Sequence, residues 1–184
     1  MFARTPRLLL RPPFAEDAPA LFRAVADEGI VRQLASAPWP YLPEHAEAFV
    51  GTERTADQPA CLVFRRTMGA PRLIGAAGLG RRPTGETELG YWIARPYWGL
   101  GYATEAAEAL VGYARETLRL PRLGAAHFID NPASGRVLRK LGFVPTDEIA
   151  ARFSAGRGGA AACRVYALDL ANVAQRPALE KVAA

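Results

Sequence analysis

The sequence predicts one domain of the α/β (α+β) class, in which helices pack on a central sheet. Three observations lead to this class. A chain of 184 residues that is 50% hydrophobic and 22% charged can bury one sizeable core. Helical segments interrupt strand-like ones along the chain. The segment 104–118 has polar and apolar positions at three- and four-residue steps, which predicts a long amphipathic helix.

The first half of the chain predicts one strand, two helices and two further strands. Pro12 and Pro13 end the first strand, and the prolines within 37–43 predict an irregular but ordered loop. Gly29 is expected to end the first helix. The predicted segments are a strand at 7–12, helices at 14–29 and 44–53, and strands at 61–65 and 72–79.

The second half predicts two helices among four strands. Asn131 is a good helix cap followed by proline at the first helical position, and Gly142 is expected to close that helix as a left-handed cap. The glycine- and alanine-rich stretch 154–162 predicts a loop. The predicted segments are strands at 87–94, 123–129, 143–149 and 164–170, and helices at 104–118 and 131–142. We therefore expect a domain over 5–170 and a C-terminal tail over 171–184.

Composition argues against a disulfide-rich, metal-binding or membrane protein. Cys61 and Cys163 are too few for a disulfide framework, and with only His45 and His127 beside them we expect no metal site. No apolar run approaches the ~18 residues of a membrane span, and nothing near the N-terminus resembles a signal peptide, so we expect a cytoplasmic protein. The net charge of +5 is dispersed rather than gathered into a basic run.

The segment from Glu88 to Glu105 has the order strand, glycine loop, helix. A helix that starts after such a loop offers unpaired backbone N–H groups and the positive end of its dipole to a phosphate. Gly99 and Gly101 allow a diphosphate to approach the backbone closely. A glycine-rich turn without a ligand is the alternative. Thr104 stands where a dinucleotide-binding loop needs glycine, and the ending of a P-loop is missing, so neither of those sites is predicted.

Three motifs together resemble the GNAT acetyltransferases. They are the Glu-Leu-Gly-Tyr-Trp-Ile strand at 88–93, the glycine loop, and the Asn-Pro-Ala-Ser run at 131–134 that leads to Lys-Leu-Gly-Phe at 140–143. The most similar branch is that of the bacterial ribosomal-protein-alanine N-acetyltransferases. The resemblance implies the GNAT fold: a mixed, mostly antiparallel sheet of about seven strands, with splayed parallel fourth and fifth strands, flanked by about four helices.

This resemblance implies that acetyl-CoA is the co-substrate and that its pantetheine arm lies between the splayed strands. Backbone groups of Tyr91, Trp92 and Ile93 are then expected to bond the pantetheine amides, and the Asn131 side chain to reach the arm from the other wall. The backbone amides of the loop are expected to bind the pyrophosphate. The loop residues are Trp98, Gly99, Leu100, Gly101, Tyr102 and Ala103.

Two positions depart from the family pattern. Trp98 replaces the usual Arg or Gln of the phosphate loop, so backbone amides must carry more of the phosphate binding. Leu138 replaces the tyrosine that protonates the departing thiolate in many members. Ser134 is the substitute that the ribosomal branch implies, because a hydroxyl on the first helical turn can stabilise a CoA thiolate. A local hydrogen bond to the helix N-terminus is the alternative for Ser134.

A protonated amine must lose a proton before its nitrogen attacks a thioester, so the reaction needs a base. Glu88 matches the strand glutamate that serves as base in some GNAT enzymes, and strand alternation puts Glu88, Gly90 and Trp92 on one face. Glu86 competes with Glu88, and a solvated strand-end charge is the alternative for Glu88. His127 is expected to be a packed, hydrogen-bonded core histidine.

The resemblance therefore predicts an enzyme that transfers acetyl from acetyl-CoA to a primary amine, on a protein N-terminus or a small molecule, by direct attack in a ternary complex. A catalytically silent acyl-CoA-binding domain stays open as an alternative. A basic nucleic-acid-binding module is suggested by the excess of 23 basic over 18 acidic residues. It ranks last because no RNP-like or helix-turn-helix signal is visible. The segments 38–43 and 154–162 are expected to read the acceptor, and their few acidic residues argue against a polycation. We expect no nucleic-acid or membrane partner and leave a homodimer open.

Overall fold

The computed structural model describes residues 1–82 and 84–171, which build one eight-stranded sheet in the order β1-β2-β3-β4-β5-β6-β8-β7. Neighbouring strands are antiparallel except β5 and β6, which run parallel. The strands are β1 (Ala3–Arg4), β2 (Leu8–Arg11), β3 (Ala60–Arg65), β4 (Arg72–Arg81), β5 (Thr87–Ile93), β6 (Arg122–Phe128), β7 (Val144–Ser154) and β8 (Gly159–Asp169).

Five α-helices and three short 3₁₀ turns connect these strands within the described residues. The helices are α1 (Ala18–Val25), α2 (Glu28–Val31), α3 (Pro43–Gly51), α4 (Tyr102–Glu116) and α5 (Pro132–Lys140). The 3₁₀ turns are Ala15–Asp17, Arg95–Tyr97 and Ala155–Arg157. None of the helices in this part of the chain is long and apolar enough to span a membrane.

The predicted fold class is confirmed, with one strand and one helix more than expected. The added strand is the two-residue β1, so the parallel pair expected as fourth and fifth strands is β5 and β6. Gly29 was predicted to end the first helix, but it lies inside α2. The helix is interrupted at Asp27, whose side chain accepts a hydrogen bond from the Ile30 N–H and caps α2. The predicted tail lies, from residue 172 on, outside the described residues.

The prediction of a loop over 154–162 was wrong. Strands β7 and β8 continue through this stretch and pair down to Ser154 and Gly159, leaving only the 3₁₀ turn at the tip. Alanine and glycine lower strand propensity, but the cross-strand ladder overrides that preference. Gly158, with φ of +66°, supplies the left-handed residue that the tight turn needs.

Two apolar clusters lie on the two faces of the sheet. The larger one lies under α4, whose buried residues Ala106, Ala107 and Ala114 are small and let the helix pack closely against β5. The smaller cluster lies under α1, α2 and α3 and includes buried Leu21, Val31 and other side chains of these helices. Helices therefore pack on both faces of the sheet. The sheet side chains under these helices are buried, so in that part of the sheet only those near the strand ends are open to a ligand.

The parallel pair determines where the functional motifs meet. Because β5 and β6 run in the same direction, their carboxyl ends lie at one edge of the sheet. The glycine loop and α4 follow β5, and Asn131 and α5 follow β6. The N-termini of both helices therefore open at this edge.

Candidate active site

A gap opens between β5 and β6, and we use the word gap for the space beyond their last paired residues. The two strands pair only at Glu88–Gly124 and Leu89–Ala125. Strand β5 continues to Ile93 and β6 to Phe128 without further pairing to each other. The polar backbone groups of 90–93 that face β6 therefore lack a ladder partner there and are available to an extended polar ligand.

The glycine loop leads from this gap to the start of α4. Gly99 and Gly101 have φ of +77° and +80°, values that favour glycine. Gly101 is the N-cap of α4 and provides no side-chain acceptor, so the first-turn N–H groups of Tyr102 and Ala103 stay uncapped by a side chain. The loop residues 99–101 are exposed. The loop can therefore accept an anion on backbone amides.

Trp98 lies beyond the end of β5, and its side chain does not supply the polar group that an Arg or Gln at this position would offer to a phosphate. Its Nε1 donates to the carbonyl of Ile93 at 2.6 Å, and the guanidinium of Arg95 lies 5.3 Å from the centre of its ring. The indole N–H is thus already used. Half of the side chain is exposed.

Arg7 brings a positive charge to the loop from the start of β2. Its Nη1 donates to the Leu100 carbonyl at 2.9 Å, and its guanidinium lies 4.5 Å from the centre of the Tyr102 ring. A Cβ added to Gly101 would lie 3.4 Å from Arg7 Nη2. Sequence reasoning missed this residue because it lies 93 positions before the backbone group that it contacts.

Glu105 on the first turn of α4 holds Arg7 in place. Its carboxylate accepts from Thr5 Oγ1 at 2.6 Å, from the Arg7 N–H at 2.9 Å and from Arg7 Nε at 2.6 Å. Burial alone would raise the pKa of Glu105, but these hydrogen bonds and the Arg7 charge hold the pKa below its ordinary value. We call Thr5, Arg7 and Glu105 the loop clamp.

Asn131 and Ser134 lie at the other wall of the gap, at the start of α5. The Asn131 Oδ1 accepts from the Ser134 N–H at 3.2 Å and caps the helix. This bond uses the carbonyl oxygen of the amide and leaves its NH₂ group as a donor. The helix cap thus orients the Asn131 side chain and leaves its NH₂ group able to donate to a pantetheine carbonyl.

Ser134 is hydrogen-bonded across the gap rather than to its own helix end. Its Oγ lies 2.9 Å from the hydroxyl oxygen of Tyr91, which also donates to the Ser134 carbonyl at 3.2 Å. Leu138, one turn further along α5, is buried in the larger apolar cluster. The position that carries a tyrosine in other family members is therefore part of the core in this chain.

Glu88 forms a bidentate ion pair on the opposite face of the sheet. Its two carboxylate oxygens accept from Arg152 Nη1 and Nη2 at 2.8 Å each, and Arg82 lies 3.5 Å away. The Glu88 side chain is 17% exposed. A carboxylate has about four lone-pair sites, so two remain after Arg152 is bound.

Glu86, the competing glutamate, lies beside Glu88. A Cβ added to Gly124 would meet Glu88 Cγ at 3.1 Å and Glu86 Cδ at 3.2 Å, so the bare glycine lets both side chains lie against β6. Arg82 lies 3.9 Å from Glu86. Sequence reasoning found both glutamates and missed both arginines. Arg152 was missed because β7 was expected to end before it.

The predicted site residues thus fall into two groups, one on each face of the sheet. Leu89 and Ile93 lie in the larger cluster with Tyr91 packed against it, whereas Trp92 packs against the smaller one. A ligand can therefore contact both the Tyr91–Ser134 pair and Glu88 only if it lies in the gap between the strands.

The remaining candidate groups have packing contacts. His127 is half-buried, with Nδ1 2.8 Å from the Phe128 carbonyl oxygen and Nε2 3.4 Å from the Tyr166 hydroxyl. Cys61 and Cys163 are buried and free, and burial raises the pKa of both thiols. Within 1–82 and 84–171 no three His, Cys, Asp or Glu side chains form a metal-binding group.

Comparison with known proteins finds relatives of this chain in sequence and in fold. Residues 7–144 match the family model of the acetyltransferase (GNAT) domain. Over 150 residues the chain is 31% identical to the uncharacterised N-acetyltransferase YoaA of Bacillus subtilis (strain 168), covering 76% of this chain and 80% of that protein.

Two solved structures share the fold. A GNAT-family acetyltransferase from Bacillus anthracis has a TM-score of 0.78 at 23% identity, over 93% of this chain and 99% of that one. RimL, a ribosomal alpha-N-protein acetyltransferase in complex with coenzyme A, has a TM-score of 0.72 at 20% identity, over 92% of this chain and 98% of that one.

Proposed function

The chain belongs to the GNAT acetyltransferase family, and from this premise we propose that it transfers the acetyl group of acetyl-CoA to a single primary amine through the gap between β5 and β6. The observation that carries the proposal is the end of β5–β6 pairing at Leu89 and Ala125. It leaves an extended slot between two helix N-termini. The co-substrate supplies the acetyl group as a thioester.

The described residues fit this co-substrate. Backbone groups of Tyr91, Trp92 and Ile93 and the amide NH₂ of Asn131 are donors and acceptors for the pantetheine amides. The uncapped N–H groups that follow Gly101 suit a pyrophosphate. Arg7 holds the loop through the Leu100 carbonyl, and its charge is paired with Glu105, so the backbone amides supply the anion-binding groups.

Proton removal from the acceptor is assigned to Glu88, with Glu86 as its competitor. Arg152 fixes the Glu88 carboxylate by two hydrogen bonds and leaves lone pairs that can accept from an ammonium group or a water molecule. Glu88 faces the side of the sheet opposite Ser134. The amine then approaches from one face while the thiolate leaves toward the other.

Ser134 is assigned to the departing sulfur. The N–C bond forms as the C–S bond breaks, and the electron pair of that bond stays on sulfur. A hydroxyl hydrogen bond from Ser134 stabilises this developing charge. An acceptor that arrives as an ammonium group loses two protons, one before attack and one as the amide forms. Glu88 takes one of them and solvent the other, so Ser134 need not ionise.

The acceptor is proposed to carry one amine near an apolar wall. Glu86 lies beside Arg82, and Glu88 beside Arg82 and Arg152, so neither carboxylate is unpaired. A polyamine needs unpaired carboxylates for its further ammonium groups. Trp92, which lies on the same strand and packs against the smaller cluster, adds apolar surface. RimL, a protein of the same fold, is an alpha-N-protein acetyltransferase, which makes a peptide N-terminus the first acceptor to test.

The proposal is tested by mixing the protein with acetyl-CoA and one amine at a time. A short peptide with a free N-terminus, a free amino acid and spermidine represent the three acceptor classes. Thiol release and the mass of the acceptor are followed together. We expect acetylation of the peptide or the amino acid at a higher kcat/KM than of spermidine.

The same experiment separates the enzyme from an acyl-CoA-binding domain without activity, a candidate that the buried Leu138 keeps open. Binding of CoA with no thiol release for any amine would support the silent domain. Faster turnover of spermidine than of both other acceptors would contradict the charge argument.

A further inference from the structure

The hydroxyl of Tyr91 is the nearest polar side-chain group to Ser134, although sequence reasoning gave Tyr91 only a backbone role. Tyr91 Oη lies 2.9 Å from Ser134 Oγ and 3.2 Å from the Ser134 carbonyl oxygen. The two residues come from β5 and α5, 43 positions apart, and so join the two walls of the gap.

Tyr91 is a permanent donor in this place. Burial raises the pKa of Tyr91 to about 12, so the phenol is protonated at neutral pH. The ring packs against the larger apolar cluster, which restricts the position of the hydroxyl. The phenol is therefore a weaker acid than an ordinary tyrosine, and it is better suited to hold a hydrogen bond than to give up its proton.

The position of the serine proton depends on this phenol. The Ser134 N–H is occupied by Asn131 Oδ1, so the serine side chain has no capping task of its own. If the Tyr91 hydroxyl donates to Ser134 Oγ, the serine proton must point to a third partner. If the single phenol proton goes to the Ser134 carbonyl instead, the serine proton can turn back to Tyr91. The contact with Oγ is the shorter of the two, 2.9 Å against 3.2 Å, which favours donation to Oγ.

The titratable and charged side chains closest to the Tyr91–Ser134 pair are Tyr166 and the two residues that contact its hydroxyl, His127 and Arg139. Tyr166 is buried and interacts electrostatically with Tyr91. His127 Nε2 lies 3.4 Å and Arg139 Nη1 3.3 Å from the Tyr166 hydroxyl oxygen. Neither His127 nor Arg139 has a hydrogen bond to Tyr91 or Ser134 within the described residues.

We propose that Tyr91 is a positioning residue that donates to Ser134 Oγ and thereby directs the serine proton at the sulfur of CoA in the gap. The inference rests on the proposed function, because it assigns the sulfur to this wall. The pair takes the place of the hydroxyl missing at Leu138. Tyr91 and Ser134 both keep their protons, and the sulfur holds the electron pair of the broken C–S bond as a thiolate.

The proposal predicts a lowered pKa for the thiol of bound CoA. The thiolate absorbs in the ultraviolet, so CoA bound to saturating protein is titrated by absorbance, with free CoA titrated in the same buffer as the reference. A hydrogen bond to a charged group is worth enough to lower the ionisation midpoint by about one pH unit. Tyr91→Phe, Ser134→Ala and the double variant should all lose this lowering.

The control is Tyr113→Phe, which removes a hydroxyl that donates to the Ala56 carbonyl at 3.0 Å and has no hydrogen bond to Tyr91 or Ser134 in the described part of the chain. It should titrate as the unchanged protein does. Because the two residues act as one unit, the double variant should match each single variant rather than add their effects. In acetyl transfer the same variants should lower kcat with little change in the KM for acetyl-CoA.

Three results would overturn the proposal. The first is a bound thiol that titrates as free CoA does in the unchanged protein. The second is a Tyr91→Phe protein with an unchanged titration, which would leave Tyr91 a packing residue. The third is additivity in the double variant. The titration needs no acceptor, so failure to acetylate any amine would reject the proposed function without affecting this result.

Discussion

The carboxylate of Glu88 serves two purposes that have to be separated experimentally. It anchors Arg152 through two 2.8 Å hydrogen bonds, and it is the proposed base. Arg152 Nε is buried without a hydrogen-bond partner in the described chain, so the arginine depends strongly on this carboxylate. Removing Glu88 therefore changes both the proton acceptor and the support of Arg152.

Glu88→Gln keeps the shape of the side chain but removes its basicity. If Glu88 is the base, kcat should fall by ~10²–10⁴, as is typical when general-base catalysis is lost. Raising the pH should restore part of the rate, because the free-amine fraction of the acceptor increases. The affinity for CoA should stay unchanged, since Glu88 faces away from Tyr91 and Ser134. The measurement is the pH profile of kcat.

Arg152→Gln is the matched control, because it breaks the same ion pair and keeps the carboxylate. We expect a smaller loss of kcat and no recovery at high pH. If both variants lose the same activity with the same flat profile, Glu88 is an anchor and not a base. A normal Glu88→Gln profile together with an inactive Glu86→Gln would move the base to Glu86.

The start of α4 depends on contacts with the N-terminal segment rather than on its own cap. Gly101 offers no side-chain acceptor, and the loop clamp of Thr5, Arg7 and Glu105 joins this helix end to β2 instead. Glu105 is also favourably placed for the helix dipole, being in the first turn. The shape of the phosphate loop is therefore coupled to residues far away in the sequence.

This coupling predicts a loss of stability in acid. A carboxyl whose folded pKa is lowered contributes stability that is present above its unfolded pKa, near ~4.3 for glutamate, and is lost as the pH falls through the folded value. Between pH ~6 and ~3 the free energy of unfolding should therefore fall less in Glu105→Gln than in the unchanged protein.

Glu108→Gln is the control on the same helix, because Glu108 is exposed. It should follow the unchanged protein over this pH range. Denaturant unfolding at several pH values gives the comparison. If Glu105→Gln loses as much stability on acidification as the unchanged protein, the clamp does not depend on the charge of Glu105.

At the scale of elements, local patterns predicted most helices and strands but not contacts between distant segments. The periodicity of 104–118 predicted α4, whose bounds are Tyr102–Glu116, and Asn131 with Pro132 predicted the start of α5. The stretch 154–162 was predicted wrongly because its composition is typical of a loop. In the structure its second half pairs with the end of β7 and forms the start of β8. Arg7 and Arg152 gave no local signal, since each acts on a residue at least 60 positions away.

For the molecule as a whole, topology rather than any single motif creates the site. One parallel neighbour pair in an otherwise antiparallel sheet brings two helix N-termini to one edge, and the early end of pairing opens the gap between them. The resemblance of 88–105 and 131–143 to the GNAT motifs made this arrangement predictable. The sequence could not reveal the Tyr91–Ser134 contact, because it depends on how far the two strands separate.

The most direct measurement is a calorimetric titration of CoA into the unchanged protein, Gly101→Val and Gly112→Val, with NAD as a second titrant. We expect micromolar binding of CoA to the unchanged protein and no binding to Gly101→Val, because valine is strained at φ of +80° and blocks the approach of phosphate to the loop. Gly112→Val lies in open space on the same helix and should bind CoA normally. Tighter binding of NAD than of CoA, or unchanged CoA affinity in a folded Gly101→Val, would contradict an acyl-CoA site at this loop.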